Sequence, residues 1–474
     1  MKSVWLTIAM AALLVGLGAY VYFIELPSER TQTATETQDK KLIPFEEQDI
    51  TGLIVRTEVG EVVLAPDDKR AWKITAPMAI DADSREVESL LRALVLGRVS
   101  RVVEEQAAAL GPFGLEKPAT VFTIVAGSRR ETLSVGDSGP ISSTLYAMRA
   151  SDKKVLLTSL APKDVLNKTL LTLRKKEVLR VDQAKVDRLR LAYPANEMVL
   201  YRVGQADQPD SADGKGKKSW KLRYPLEADA DQAEVNSLLI KLENLKALGF
   251  VDSGPQRDAL LQKLTKPDVK ITVHADGTDQ TVKLYQLDPT TGEAYAVTAQ
   301  DAPLYRISPL AIKDLTKELF TLQDKRLLGV NMDELAMLAV KTRNQQYTLI
   351  HQNGDWVLED QPAEKLDQEA ADLFVSRVVS LPAEIRVVKQ AGPLAPYGLA
   401  TPTAEFLATA KDGTQRGRLV LGASSGGLAY AMGHQGLPGI FQARADLLTQ
   451  IPAKADLKAK TRQVSGLPPE PGRK

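Results

Sequence analysis

The chain has no cysteine in its 474 residues. That excludes disulfides, a thiol nucleophile, cysteine-ligated zinc and a lipidated cysteine together. Histidine is almost as scarce: His274, His351 and His434 are the three in the chain. No two lie close enough for a local metal motif. Net charge is nearly absent too. The 61 basic side chains against 60 acidic ones leave a formal +1, which supplies no basic excess for a nucleic-acid footprint. What is present, 44% hydrophobic and 26% charged residues, is ordinary for a folded protein and excludes wholesale disorder. The length suits about three domains.

Long apolar runs are also lacking, with one exception. VWLTIAMAALLVGLGAYVYFI, Val4 to Ile24, is 21 residues without a charge. As a helix it would reach about 31 Å, close to the thickness of a bilayer core. Lys2 precedes it, and Tyr20, Tyr22 and Phe23 cluster at its far end, where interfacial aromatics belong. A cleaved signal peptide is the alternative, but the run is long and no small-x-small cleavage site follows it. The expectation is an anchor over residues 1–25 in the inner membrane, with the N-terminus in the cytoplasm and the bulk of the chain in the periplasm or outside. A polar tether over 26–47 follows.

The rest of the chain repeats. Trp72, Trp220 and Trp356 begin AWKITAP-like strings, and Pro118, Pro267 and Pro402 follow them at 46, 47 and 46 residues. From each proline to a Tyr-Ala pair, beginning at Tyr146, Tyr295 and Tyr430, the gap is 28 residues. Three modules are therefore expected, over 48–180, 181–329 and 330–452, with a disordered tail over 453–474. A polar insert at 205–218 reads as a flexible loop in the second module.

Within a module, alternating segments such as TGLIVRT, GEVVLAP and AWKITAP predict three strands. A helix follows, opened by the capping-box patterns Asp83-x-x-Glu86 and Asp231-x-x-Glu234. Its apolar stripe is Val87, Leu90, Leu91 and Leu94 in the first copy and Val235, Leu238, Leu239 and Leu242 in the second. The third copy keeps Leu373, Phe374 and Val378 but has Ala370 where the box needs a carboxylate. Three more strands and a short helix complete the unit. The predicted fold class is α+β: an N-terminal transmembrane helix, then three tandem βββαβββα modules.

One string invites a catalytic reading. VGDSGP at 135–140 is one glycine short of the sequence around the nucleophilic serine of trypsin-like proteases. Those enzymes need a general-base histidine earlier in the chain, and no histidine precedes Ser138. A Gly-Asp-Ser-Gly cluster between two strands is what a turn requires. GKGKKS at 214–219 lacks the spacing of a phosphate-binding loop. No catalytic residue, metal ligand or cofactor site is assigned, and the chain is expected not to be an enzyme. The recurring aromatics Trp72, Trp220, Trp356, Tyr146, Tyr295 and Tyr430 carry two readings: core anchors packed on each module's helix, or aromatic-lined grooves for an extended ligand.

The combination WKITAP, DADS, FGLEKP and LYAM in the first copy, with YGLATP and AYAM in the third, resembles the bacterial family catalogued as domain of unknown function 4340. The middle copy has QKLTKP and lacks the aromatic-glycine pair. The resemblance implies a single-anchor envelope protein that accompanies auxiliary components of gliding-motility-type ABC transporters; it supplies no catalytic residues. The expected function is a membrane-anchored extracytoplasmic scaffold or accessory subunit with a protein partner, membrane contact through residues 4–24 and no nucleic acid. The alternative is a periplasmic binding module for an extended ligand such as glycan or peptide. Oligomeric state is left open.

Overall fold

The computed structural model describes residues 40–141, 143–204, 218–288, 290–299 and 302–459. The expected anchor, the tether as far as residue 39 and the insert over 205–217 lie outside these residues. Among the described residues no helix is long and apolar enough to cross a membrane. The chain divides into two compact units, residues 1–176 and 177–474.

The first unit holds one nine-stranded sheet. Strands β1 (Gly52–Thr57), β2 (Gly60–Pro66) and β3 (Trp72–Ala76) form a meander that ends in the two-residue β4 (Ile80–Asp81). Helix α1 (Ser84–Leu96) leads into β5 (Arg98–Glu104), and β6 (Thr120–Ala126), β7 (Arg129–Ser138), β8 (Thr144–Arg149) and β9 (Val155–Ser159) follow. Two short helices, α2 (Lys163–Leu166) and α3 (Leu170–Leu173), close the module. The sheet order is β4-β3-β2-β1-β6-β7-β8-β9-β5, and the pairings are antiparallel. Helix α1 thus connects one edge of the sheet to the other. Its stripe of Val87, Leu90, Leu91 and Leu94 is buried in one core with Leu53, Val55, Phe122 and Ile124, each side chain contributing about 2 kcal/mol.

The second unit repeats the plan twice. Its first sheet comprises β10 (Val186–Ala192), β11 (Glu197–Gly204), β12 (Lys218–Tyr224), β13 (Ala228–Asp229), β14 (Gly249–Val251), β15 (Val269–Ala275), β16 (Thr278–Asp288), β17 (Glu293–Val297) and β18 (Leu304–Ile307). Helices α4 (Gln232–Glu243), α5 (Pro255–Lys263), α6 (Pro309–Leu315) and α7 (Leu319–Leu322) accompany it. The next sheet has eight strands: β19 (Leu335–Thr342), β20 (Gln346–Gln352), β21 (Asp355–Leu358), β22 (Ile385–Val388), β23 (Ala404–Ala410), β24 (Gln415–Ser425), β25 (Leu428–Met432) and β26 (Ile440–Arg444). Its helices are α8 (Gln368–Ser380) and α9 (Asp446–Thr449).

The predicted fold class is corrected by these sheets. Instead of βββαβββα units, each module is one large antiparallel sheet with short helices, and the helix divides the strands unequally. A strand directly after the main helix (β5, β14 or β22) was missed, because it is an edge strand without clean alternation. In β5, Arg98 and Arg101 interrupt the apolar pattern, and Arg98 bridges to Lys41 on the outer side. Where three strands are expected after the helix, the last of them in the first module is the hairpin of β8 and β9.

Smaller expectations also change. Asp83 and Asp231 cap their helices by accepting from the next backbone N–H groups, yet the capping box does not close. Glu86 instead accepts from Lys168 at 2.6 Å, and Glu234 from Lys317 at 3.4 Å. The cap N–H groups are already used: Asp83, Asp231 and Asp367 donate theirs to the carbonyls of Leu173, Leu322 and Leu457. A carboxylate three residues on is therefore dispensable, and the third copy caps with Asp367 alone. Leu373, expected in the core, is 51% exposed; Ala371 and Val375 take the buried positions beside Phe374 and Val378. Both ends of the repeat region extend past their expected bounds. Leu42, Ile43 and Phe45, placed in the tether, belong to the first core, and Leu457, placed in the tail, belongs to the third.

Candidate functional site

The six recurring aromatics serve two different packing devices. Each tryptophan sits on the strand leading to the main helix and points into the core, with Trp72 8%, Trp220 2% and Trp356 2% exposed. In the second and third modules the residue after the N-cap aspartate brackets the tryptophan backbone. Gln232 accepts from the Trp220 N–H and donates to its carbonyl, at 2.7 and 2.9 Å, and Gln368 does the same to Trp356 at the same distances. The indole N–H of Trp356 donates to Asp372 at 2.8 Å. That of Trp220 is buried without an acceptor among the described residues. Rings this enclosed leave no open face for a ligand.

The tyrosines alternate to the opposite face of the sheets, where each covers a small second core. Tyr146 meets Phe113 edge-on at 5.1 Å and 65°, and Tyr430 meets Tyr397 at 5.1 Å and 68°. This is the physical content of the aromatic-Gly-Leu-x-x-Pro motif: a 3-10 turn folds back and lays its aromatic ring on the tyrosine. In the middle module, which lacks the motif, Tyr295 is 6% exposed and clusters with Tyr285, Leu304 and Leu264, and with Leu260 and Leu261 of α5. Burial pushes the phenols of Tyr285 and Tyr295 above their usual range.

The same device accounts for VGDSGP. A Cβ on Gly136 would stand 2.1 Å from the Phe113 carbonyl oxygen, and one on Gly422 would stand 2.3 Å from that of Tyr397. The turn can seat only where the strand beneath it has no side chain. Ser138 is exposed at the end of β7, with Lys163 reaching the neighbouring Asp137 at 3.4 Å. The histidines are scattered. His274 bonds Asp279 at 2.6 Å on the second sheet, His351 packs at 4.9 Å from Trp356, and His434 lies by the segment between the second and third modules. Among the described residues no group of His, Asp and Glu could hold a metal ion.

That segment, Gln323 to Leu328, is the structured junction of the second unit. It pairs with the second module through Ala230 and with the third through Pro382. Asp324 donates its N–H to the Asp229 carbonyl at 2.9 Å, and Leu327 donates to that of Leu381 at 2.9 Å. Arg326 is gripped by Asp324 and donates to Asn331 at 2.6 Å; the Asp324 carboxylate holds its guanidinium above the usual range. Arg386 lies over Phe320 at 4.6 Å and Phe441 at 5.4 Å and donates to Gln323 at 2.9 Å. Burial pulls its guanidinium below the usual range. Burial likewise lowers His434, with Asp324 and Asp229 opposing the effect in part, and its Nδ1 accepts from the Gly436 N–H at 3.1 Å. A dimple of about 340 Å³ there is lined by Asp231, Asp324, Lys325, Arg326 and Glu384. Lys325 and Arg326 are already paired with Asp231 and Asp324, so the cluster joins modules and presents no vacant cation.

Sequence reasoning missed the junction. The signal available was the reuse of LLTL before Arg174 and LFTL before Gln323.

A family model described as "Domain of unknown function (DUF4340)" matches the chain twice, over residues 72–263 and 220–384. One match begins at Trp72 and the other at Trp220, the same position in two successive modules. No curated protein matches the chain.

Proposed function

Because the chain belongs to the DUF4340 family, whose description assigns no activity, we propose a function from the geometry: a non-catalytic scaffold or accessory subunit that presents rigid sheet faces to a protein partner. The observation that carries this reading is the junction. Backbone pairing on both sides of Gln323–Leu328 ties the second and third modules together, as suits a platform. The recurrent aromatics are spent on packing, so a glycan-binding or peptide-binding alternative would have to use other residues. The membrane side of the proposal rests on the uncharged run Val4–Ile24, and the choice of an ABC-type transport or envelope complex as partner rests on the family resemblance.

The test is crosslinking of the full-length protein in native membranes, followed by purification and mass spectrometry. Recovery of a transporter or envelope component in fixed proportion is expected. A protein recovered alone after efficient crosslinking overturns the reading. Alkaline carbonate extraction tests the attachment: full-length chain in the pellet and a form lacking residues 1–25 in the supernatant are expected.

A further inference from the structure

The three sheets are copies, so their outer faces can be compared position by position. Strand register aligns Leu53, Leu189 and Leu338 opposite Leu64, Leu200 and Leu349, and Phe122, Ile271 and Phe406 opposite Leu133, Val282 and Leu419. On the middle sheet the outward neighbours of these residues, and of Leu222 opposite Leu200 on β12, include Arg188, Arg190, Lys221, Arg223, Lys270 and Lys283. The matching positions of the first module hold Gly52, Ile54, Lys73, Thr75, Val121 and Ser134. Those of the third hold Met337, Ala339, Val357, Glu359, Glu405 and Val420. Six cations thus stand where one copy has a single lysine and the other has two carboxylates, in a chain whose formal charge is +1.

Two of the six are neutralised locally, Arg190 by Glu197 at 2.7 Å and Lys221 by Asp229 at 3.0 Å. Arg188, Arg223, Lys270 and Lys283 have no carboxylate partner among the described residues. Lys270 and Lys283 are directly opposed across β15 and β16, an arrangement that costs stability in an isolated sheet. Beside them lies an open groove of about 860 Å³ with Val199 and Tyr201 in its lining, flanked by Arg188 and Arg223 and by Tyr224, which is 53% exposed.

We propose that this groove docks an acidic segment of a protein partner, which deepens the scaffold reading and rests on it. The planar forks of Arg188 and Arg223 suit carboxylates, and the tyrosines offer contact area at low entropic cost. Asp187 and Glu197 also line the groove. They repel a uniformly charged polyanion but tolerate a chain whose acidic side chains are spaced by neutral ones. Being concave, the groove does not suit a flat lipid surface.

The test uses the full chain in mild detergent and a labelled peptide of alternating glutamate and alanine. Binding should weaken with salt and fall about tenfold or more in an Arg188→Glu, Arg223→Glu double variant. Lys341→Gln, an exposed change on the third module's sheet, should leave binding intact. Both variants should melt as the parent does, since the substituted side chains are exposed. Equal binding by the double variant and the parent overturns the proposal, as does no binding by the parent. Stronger binding of polyphosphate or of phosphatidylglycerol vesicles than of the peptide overturns the assignment to an acidic protein segment. In native membranes, a photo-crosslinker at Tyr224 should reach the partner. A partner captured from other faces but never from Tyr224 refutes the groove and spares the scaffold, whereas no partner from any face refutes the scaffold itself.

Discussion

Gly136→Ala is the sharpest perturbation of the repeated latch. The added Cβ would start 2.1 Å from the Phe113 carbonyl oxygen and 3.0 Å from Leu115 Cγ. A relaxed carbon contact needs roughly 3.5 Å, so the turn over Gly111–Phe113 must lift by more than about 1 Å. Lifting loosens the edge-on contact of Phe113 with Tyr146, worth about 0.5–1.5 kcal/mol, and exposes Leu115, now 3% exposed, at about 2 kcal/mol. The expected loss is therefore about 3 kcal/mol, or roughly 6–12 °C in the melting of that module. Ser138→Ala in the same string should change stability by less than about 0.5 kcal/mol. The assay is thermal and urea unfolding followed by circular dichroism, with hydrogen exchange locating the loss to residues 111–116 and β7. A Gly136→Ala protein within 0.5 kcal/mol of the parent, on the order of assay error, would refute the argument that the glycine exists to admit the turn. The matching change, Gly422→Ala, should act alike in the third module.

Three further outcomes are expected. Trp356→Phe should cost about 1 kcal/mol more than Trp220→Phe in urea unfolding, because only Trp356 loses an indole hydrogen bond, to Asp372; equal losses would contradict this. Gln368→Ala removes both brackets on the Trp356 backbone and should cost about 2 kcal/mol, visible as faster exchange of that amide. His434, held neutral by burial, should make the second unit less stable in mild acid. Its folded pKa lies below the unfolded value of about 6.5, so between the two the unfolded chain binds more protons and stability rises with pH. The melting temperature should therefore drop from about pH 7 to about pH 5 more steeply in the parent than in His434→Gln, and parallel slopes would rule this out.

Much of each module was legible because its signals are local. Alternation marked Leu53 and Val55 as inward, the 3.6-residue stripe marked Val87 to Leu94, and Asp83 announced a helix start. Legibility failed where a residue's partner is distant in sequence. Glu86 fits a capping box by spacing, but the Asp83 N–H it would have accepted from is donated to the carbonyl of Leu173, 90 residues away. Edge strand β5 pairs along its length on one side, to β9, and on the other meets the isolated bridge from Arg98 to Lys41, so its charge-interrupted pattern resembles a loop. Leu373 fits the helical stripe by residue type, while the buried face of α8 runs through Ala371, Phe374, Val375 and Val378 and leaves it outside.

The sequence by itself determined the triplication, the strand and helix periods, the helix caps and the absence of thiol or clustered-histidine chemistry, because each is written in residue types at short or constant spacing. Only the tertiary structure decided how those pieces serve one another: the turn that needs Gly136 bare, the segment Gln323–Leu328 shared by two modules, and the cations of the middle sheet gathered onto one face. Arg188 and Lys283 are 95 positions apart in the chain, and no local period links them. Antiparallel pairing places their strands on either side of β15, and strand alternation turns both side chains outward.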